Sequence, residues 1–367
     1  VFDSPPFFDL ENGNLVVDGS NYSTRGGKLE SEGQAGVISG VLMSQKAGIT
    51  PDGSIVFYAI HVNDVYAYFA SGKNTGQLEN LTEFPITQED VDQIVDYAQT
   101  TYNVTIEDAE SLTMELKSSW IKPAPGLDLS NYITIQADIP KFTKVSDKLW
   151  TWDGVSLERN VTLAMVGYHV VGSTANHPEM IWATFEHVDN SPDVSYYYID
   201  EAGNLQERKT FGPDGKPIRK DWLFTDGNVT ANASNQMHME LDAREIKAMG
   251  DLTISPSSTI RTHPWGNSPD STYAQNNTDI ISLNENIITL LAPGDVRRNY
   301  FLVGATWTAN GVPGVGNQLP DVRGSKILAN ATMETYFQYK NCFGCHNGGK
   351  LSGLSHIIDD ITPLPIP

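Results

Sequence analysis

Alternation of apolar and polar positions runs through most of the chain and predicts a protein built mainly from β-strands. Apolar residues recur with a period of two from Leu112 to Trp120 and from Ile133 to Ile139, as in strands with one buried face. The stretches from Val161 to Val171 and from Met180 to Val188 are largely apolar on both faces, which predicts two central strands joined by a loop. A further strand is predicted from Asn299 to Trp307.

Helical spacing of apolar residues occurs in two places. Thr87 and Asp90 have the spacing of a capping box, and the residues that follow place an apolar face at every third or fourth position: Val91, Ile94, Val95 and Ala98. A second helix is predicted from Asp279 to Leu291, with Thr278 as its N-cap.

The remaining patterns complete a mainly β prediction. Residues Gly53 to Ala70 predict a buried strand or hairpin, and Val1 to Glu30 predict an extended arm with one strand. Turn signals predict further hairpins at Asp153, Gly203, Asp214 and Asp226. The sequence therefore predicts an antiparallel β-sandwich-like domain with a few helices over residues 1–325. A C-terminal segment, residues 326–367, follows it and begins with a short helix.

Composition and charge exclude several classes of protein. The 367 residues include 40% hydrophobic ones, enough for a large core, and no apolar stretch approaches the ~18 residues of a membrane crossing. The formal net charge of -21 repels phosphate backbones, so nucleic-acid binding is not expected. A field of this sign instead favours a basic partner protein.

Two further features predict an exported protein. The chain begins at Val1, as after removal of a leader, and it contains eight Asn-x-Ser/Thr sequons. We therefore expect a periplasmic or extracellular location. The sequons lie at Asn21, Asn80, Asn103, Asn160, Asn228, Asn232, Asn276 and Asn330.

The cysteines provide the candidate chemistry. The chain has only two, Cys342 and Cys345, and His346 follows directly, which makes a Cys-x-x-Cys-His motif. This spacing lets two thiols form thioethers with the vinyl groups of one haem while the imidazole coordinates the iron. Asn330 can cap a short helix through Tyr339 and Lys340 that would present the cysteines.

At these three positions the chain resembles the c-type cytochromes, which implies covalent haem c on Cys342 and Cys345, with His346 as the proximal ligand. The stretches Thr162 to Asn190 and Asn299 to His346 also look similar to a family of exported bacterial proteins that end in one such motif and have no established role. The chain departs from small cytochromes because only twenty-one residues follow His346, too few for a cytochrome domain.

Two other uses of the motif remain open at this stage. A redox-active dithiol has the same Cys-x-x-Cys spacing, although such motifs normally open a helix. Zinc could instead be held by Cys342, Cys345, His356 and one more ligand. Five residues that lie close together in the sequence could form a separate metal site. The alternative is that their histidines are ordinary hydrogen-bonded or surface residues. The five are His169, His177, Glu179, Glu186 and His187.

The sequence thus predicts an exported monohaem electron-transfer protein. We expect His356 to be the distal ligand, with Met333, His61, His169 or a neighbouring subunit as competitors. The alternatives are a haem-dependent, peroxidase-like oxidoreductase and a non-redox surface or carbohydrate-binding module with zinc at the motif. A redox partner protein is expected, and a short terminal haem segment also predicts packing against a second subunit in a homo-oligomer.

Overall fold

A computed structural model describes most of the chain: residues 7–11, 14–17, 22–23, 25–26, 40–45, 53–227, 236–240, 243–262, 270–314, 321–359 and 361–366. Most of the predicted N-terminal arm and part of the sequon set, including Asn21, Asn228 and Asn232, lie outside these residues. The strands are β1 Phe7–Glu11, β2 Asn14–Val17, β3 Tyr22–Ser23, β4 Arg25–Gly26, β5 Val56–Asn63, β6 Met114–Ile121, β7 Thr134–Pro140, β8 Thr143–Ser146, β9 Leu149–Thr151, β10 Leu157–Thr174, β11 His177–His187, β12 Tyr196–Ile199, β13 Leu205–Arg208, β14 Met237–Glu240, β15 Glu245–Ala248, β16 Tyr300–Thr308 and β17 Val322–Gly324.

Within the described residues, eleven strands form one large sheet whose main path runs β17-β16-β11-β10-β6-β5-β1-β2. The neighbours along this path are antiparallel, and β7 pairs with β10. A four-stranded sheet, β14-β15-β9-β8, and the β12-β13 hairpin complete the β-structure. Strands account for 33% of the described residues and helices for 21%, which confirms the prediction of a mainly β, antiparallel protein.

The core between the two sheets explains the sandwich. Trp120, Leu163 and Met165 of the large sheet share one apolar cluster with Met237 and Ile246 of the small sheet, and all five are buried. The predicted strand face from Ile133 to Ile139 contributes to the same cluster. The period of two therefore identified a face that is in fact buried between sheets.

Four α-helices are described: α1 Asp64–Asn74, α2 Gln88–Tyr102, α3 Ser271–Leu290 and α4 Leu351–Leu354. The capping box at Thr87 and Asp90 is present, so that prediction is confirmed. The helix predicted at Asp279 instead begins at Ser271 with Asp270 as N-cap. Thr278, predicted as the N-cap, lies inside α3, where its hydroxyl and the side-chain amide of Asn277 donate to carbonyls of β12.

The strand or hairpin predicted from Gly53 to Ala70 is only half right. β5 ends at Asn63, whose side chain accepts a hydrogen bond from the Tyr66 backbone N–H and caps α1. Every residue from Asp64 to Gly72 is buried, so the helix has no polar face to reveal its period.

The helical layer and the chain end pack together on the other side of the large sheet. One apolar cluster unites residues of α1 and α2 with Val171, Trp182 and the C-terminal residues Phe343, Leu354 and Ile358. None of the described helices has the length and apolar character that crossing a membrane requires.

Candidate functional site

The motif lies on a tight turn. Cys342–Gly344 form one turn of 3-10 helix, and the Cys345 and His346 backbone N–H groups both donate to the Cys342 carbonyl, at 3.1 and 2.8 Å. Cys342 is half-buried and Cys345 is exposed. The turn therefore brings both thiols and the imidazole onto one short surface segment, as the spacing predicted.

The helix predicted to precede the motif is not formed, and turns replace it from Asn330 to Asn341. Asn330 does cap the first turn, because its side-chain oxygen accepts from the Thr332 N–H at 2.9 Å. Its amide also donates to Thr184 and to the Phe185 carbonyl of β11, which fixes the segment to the sheet instead of letting it continue as a helix. The same contacts bury the side chain of the Asn330 sequon.

His346 is held in a defined orientation. Its Nδ1 lies 2.6 Å from the Leu354 carbonyl oxygen, so Nδ1 carries the proton and donates. Its ring centroid lies 4.3 Å from that of Trp182, on β11. The imidazole therefore has Nε2 as its unprotonated nitrogen, and no sequence signal marked the contribution of Trp182.

His356 lies beside His346. The two ring centroids are 4.2 Å apart and the planes differ by 16°, which is a face-to-face stack. Both imidazoles could hold one haem iron only if the rings separated and turned, because in this stack they contact each other. The ligand role of His356 stays a prediction.

Residues of the segment that carries the motif pack into the apolar core. Phe343, between the two cysteines, is 1% exposed and meets Trp182 edge-on, with centroids 6.1 Å apart. Beyond the motif, Leu354, Ile357 and Ile358 are buried in the cluster that contains α1 and α2. The site is thus part of the folded core.

Comparison with known protein families, curated proteins and solved structures found no match to this chain. The function of the protein is therefore inferred from the site itself.

The environment of the Cys342 thiol affects its reactivity. Burial raises the pKa of the Cys342 thiol well above its usual value, and the charge of Glu334 adds to the effect. A dithiol oxidoreductase needs a thiolate with a lowered pKa, usually on the first cysteine. The first cysteine here has the opposite property.

The other candidate residues do not form a joint site. His169 lies opposite Thr184 in the β10-β11 pair, and its Nε2 bonds to Glu334 at 3.0 Å. His177 bonds to Glu179 at 2.8 Å. In the part of the chain that the structure describes, no group of three or more His, Cys, Asp or Glu residues could hold a metal ion. The separate histidines are satisfied individually, and Glu186 accepts hydrogen bonds from Arg261.

The buried His187 should make the stability of the protein depend on pH. It is buried, stacks on Tyr132 at 3.9 Å and pairs through Nε2 with the Asn131 carbonyl. Burial lowers its pKa, so the unfolded chain binds the proton more readily. Neutral His187 contributes to the free energy of unfolding. This contribution is fully present above about pH 6.5, and below that pH it declines by at most about 1.4 kcal/mol per pH unit.

We expect His187→Gln to remove this contribution. Denaturation by urea at several values between about pH 7.5 and about pH 5 measures the effect as a flatter slope in the variant than in the wild type. Comparing the two slopes cancels the titration of the many other acidic groups. Parallel slopes would contradict the assignment.

Charge next to the motif differs from the charge of the whole chain. From Thr335 to Ile358 there is no Asp or Glu, and Lys340 and Lys350 are both exposed. The Lys340 side chain lies along Gly344, where an added Cβ would come within 2.8 Å of its Cδ. The basic partner expected from the net charge of -21 thus concerns the molecule as a whole, because the exposed charged side chains of this segment are basic.

Proposed function

We propose that Cys342 and Cys345 bind haem covalently, that His346 coordinates its iron, and that the protein carries single electrons. The observation that carries the proposal is the hydrogen bond from His346 Nδ1 to the Leu354 carbonyl, 2.6 Å long. Such a bond fixes the tautomer and leaves Nε2 as the nitrogen that can coordinate a metal, which is how a metal-ligating histidine is normally oriented.

The residues present fit a haem in three respects. Both thiols and the imidazole lie on one turn, His346 is fixed at Nδ1, and His356 lies next to His346, from which it would have to separate and turn to become the second ligand. When bound, the haem supplies the one-electron chemistry. The chain's own contribution is to orient His346 through Leu354 and Trp182, and to attach the segment to the core through Phe343.

The alternatives receive less support. The raised pKa of Cys342 disfavours a dithiol, because it suppresses the thiolate that exchange requires. A structural zinc needs four donors, and the described residues offer no group of three or more suitable side chains. Haem attachment needs only the two thiols and one imidazole, all of which are present.

Covalent attachment can be tested directly. The protein, produced in a host that attaches haem c, should be coloured and should keep its Soret band through denaturation and acid–acetone extraction, with an intact mass of chain plus one haem. Cys342→Ser/Cys345→Ser should lose the covalent group, while the control Ser352→Ala retains it. A wild-type mass equal to the bare chain would refute the proposal, and zinc found instead would favour the surface-module alternative.

The same spectrum separates an electron carrier from a haem enzyme. A low-spin spectrum that resists added cyanide supports two protein ligands and electron transfer. A rapid shift with cyanide or peroxide indicates an open position and the peroxidase-like alternative.

We propose export for the same protein. The Asn80, Asn103 and Asn160 sequons are exposed, and Asn330 is buried, so only some could accept a glycan. Covalent haem on a chain with no other thiol also fits an oxidising compartment. The redox partner and the homo-oligomer remain predictions.

A further inference from the structure

The three consecutive residues Leu354, Ser355 and His356 link the two histidines. The Leu354 carbonyl orients His346, His356 carries the second imidazole, and Ser355 lies between them. Any rotation of this turn would therefore move the His346 acceptor and the His356 ring together.

Ser355 is held from two directions inside the core. It is 1% exposed, and its hydroxyl donates to the Glu115 carboxylate at 2.7 Å. Because that donation uses its only proton, the Tyr66 hydroxyl, also 2.7 Å away, must donate to Ser355. Tyr66 is fully buried and its pKa is raised well above the usual value, chiefly by burial, so it stays a donor.

The two partners belong to separate elements of the rigid core. Tyr66 lies on α1 and Glu115 on β6, 289 and 240 residues from Ser355 in the sequence. The chain of hydrogen bonds from Tyr66 to Ser355 to Glu115 ends on a carboxylate, and such charge-assisted bonds are short and directional.

Apolar packing alone would leave the turn less precisely fixed. Leu354, Ile357 and Ile358 bury their side chains in the core, and this attraction has no preferred direction. The Ser355 hydroxyl adds the direction. Removing it should let the chain fold while the turn gains rotational freedom.

We propose that Ser355, held between Tyr66 and Glu115, is the positioning residue of the two-histidine site. It fixes the Leu354 carbonyl that orients His346 and the backbone that carries His356. This inference rests on the proposed haem function and assigns a role to residues that no motif includes.

The test compares Ser355→Ala and Tyr66→Phe with the wild type in the haem-loaded protein. Titration with cyanide, followed in the visible spectrum, reports how easily His356 is displaced. We expect the apparent affinity for cyanide to rise about ten- to a hundredfold in Ser355→Ala, the usual effect of losing a hydrogen bond that supports a ligand. Tyr66→Phe, which keeps the buried ring, should show a smaller rise.

A matched control separates positioning from stability. Ser173 is also buried, and its 2.7 Å hydrogen bond is with Thr113, which is not part of the Tyr66–Ser355–Glu115 chain. Ser173→Ala should leave the cyanide affinity unchanged. A second readout needs no haem: amide exchange at Ser355, whose N–H donates to Leu351, should accelerate in Ser355→Ala.

The outcomes distinguish the two proposals. A wild-type protein without covalent haem would refute the proposed function and the ligand role built on it. A haem-loaded protein in which both variants keep wild-type cyanide affinity would overturn the role of Ser355 alone, and an equal rise in Ser173→Ala would reduce it to general stability.

Discussion

Replacing Arg261 with methionine is expected to lower the free energy of unfolding by about 3–5 kcal/mol, the cost of breaking a buried ion pair from one side. The Arg261 side chain is 2% exposed, and its guanidinium donates to Glu186, which is fully buried, and to Asp193. Glu186 also accepts from the Ala331 N–H at 2.7 Å, in the turn that precedes the motif. The variant would leave two carboxylates in the core without their cation.

The control is an ion pair at the surface. Arg297 pairs with Asp295 while its side chain is 60% exposed, and Arg297→Met should change stability by no more than about 1 kcal/mol. Urea denaturation of both variants measures the difference. Equal effects would show that burial does not determine the contribution of Arg261. The loss of stability in Arg261→Lys should lie between the losses in Arg261→Met and Arg297→Met, because lysine keeps the charge but cannot form the paired bonds to Glu186.

Phe343→Ala should lower the free energy of unfolding by a similar amount, about 3–5 kcal/mol, because it removes a buried aromatic ring and leaves a cavity. Phe343 lies between the two cysteines and packs into the cluster that joins α1, α2 and the chain end. The loss should be seen in the urea midpoint of the protein with both cysteines intact.

Tyr339 supplies the matched comparison in the same segment. It is 59% exposed, and Tyr339→Ala should change stability by no more than about 0.5 kcal/mol. If the two variants lost the same stability, the motif would not be part of the core as described.

Features that depend on neighbouring residues in the sequence were predictable. The capping box at Thr87 and Asp90 is a contact between residues three apart, so its pattern alone located α2. The β10-β11 hairpin was predicted from two apolar runs. Its loop is shorter than expected because Asn176 adopts a left-handed conformation, φ 67°, and allows a tight turn.

Features that depend on tertiary contacts could not be predicted from the sequence. α1 is buried on all sides, and its apolar run was consistent with a strand as well as a helix. The motif itself identified Cys342, Cys345 and His346. The contacts that orient His346, from Trp182 and Leu354, join parts of the chain that only folding brings together.

The half-buried Cys342 would set an order of events in maturation if haem binds there as proposed. Cys342 packs against two apolar clusters, and the segment beyond it supplies Phe343, Leu354 and Ile358 to the core. A haem vinyl group would have to reach the Cys342 thiol before this segment packs into the core, so attachment would precede the last step of folding. A chain that folded first would offer only the exposed Cys345.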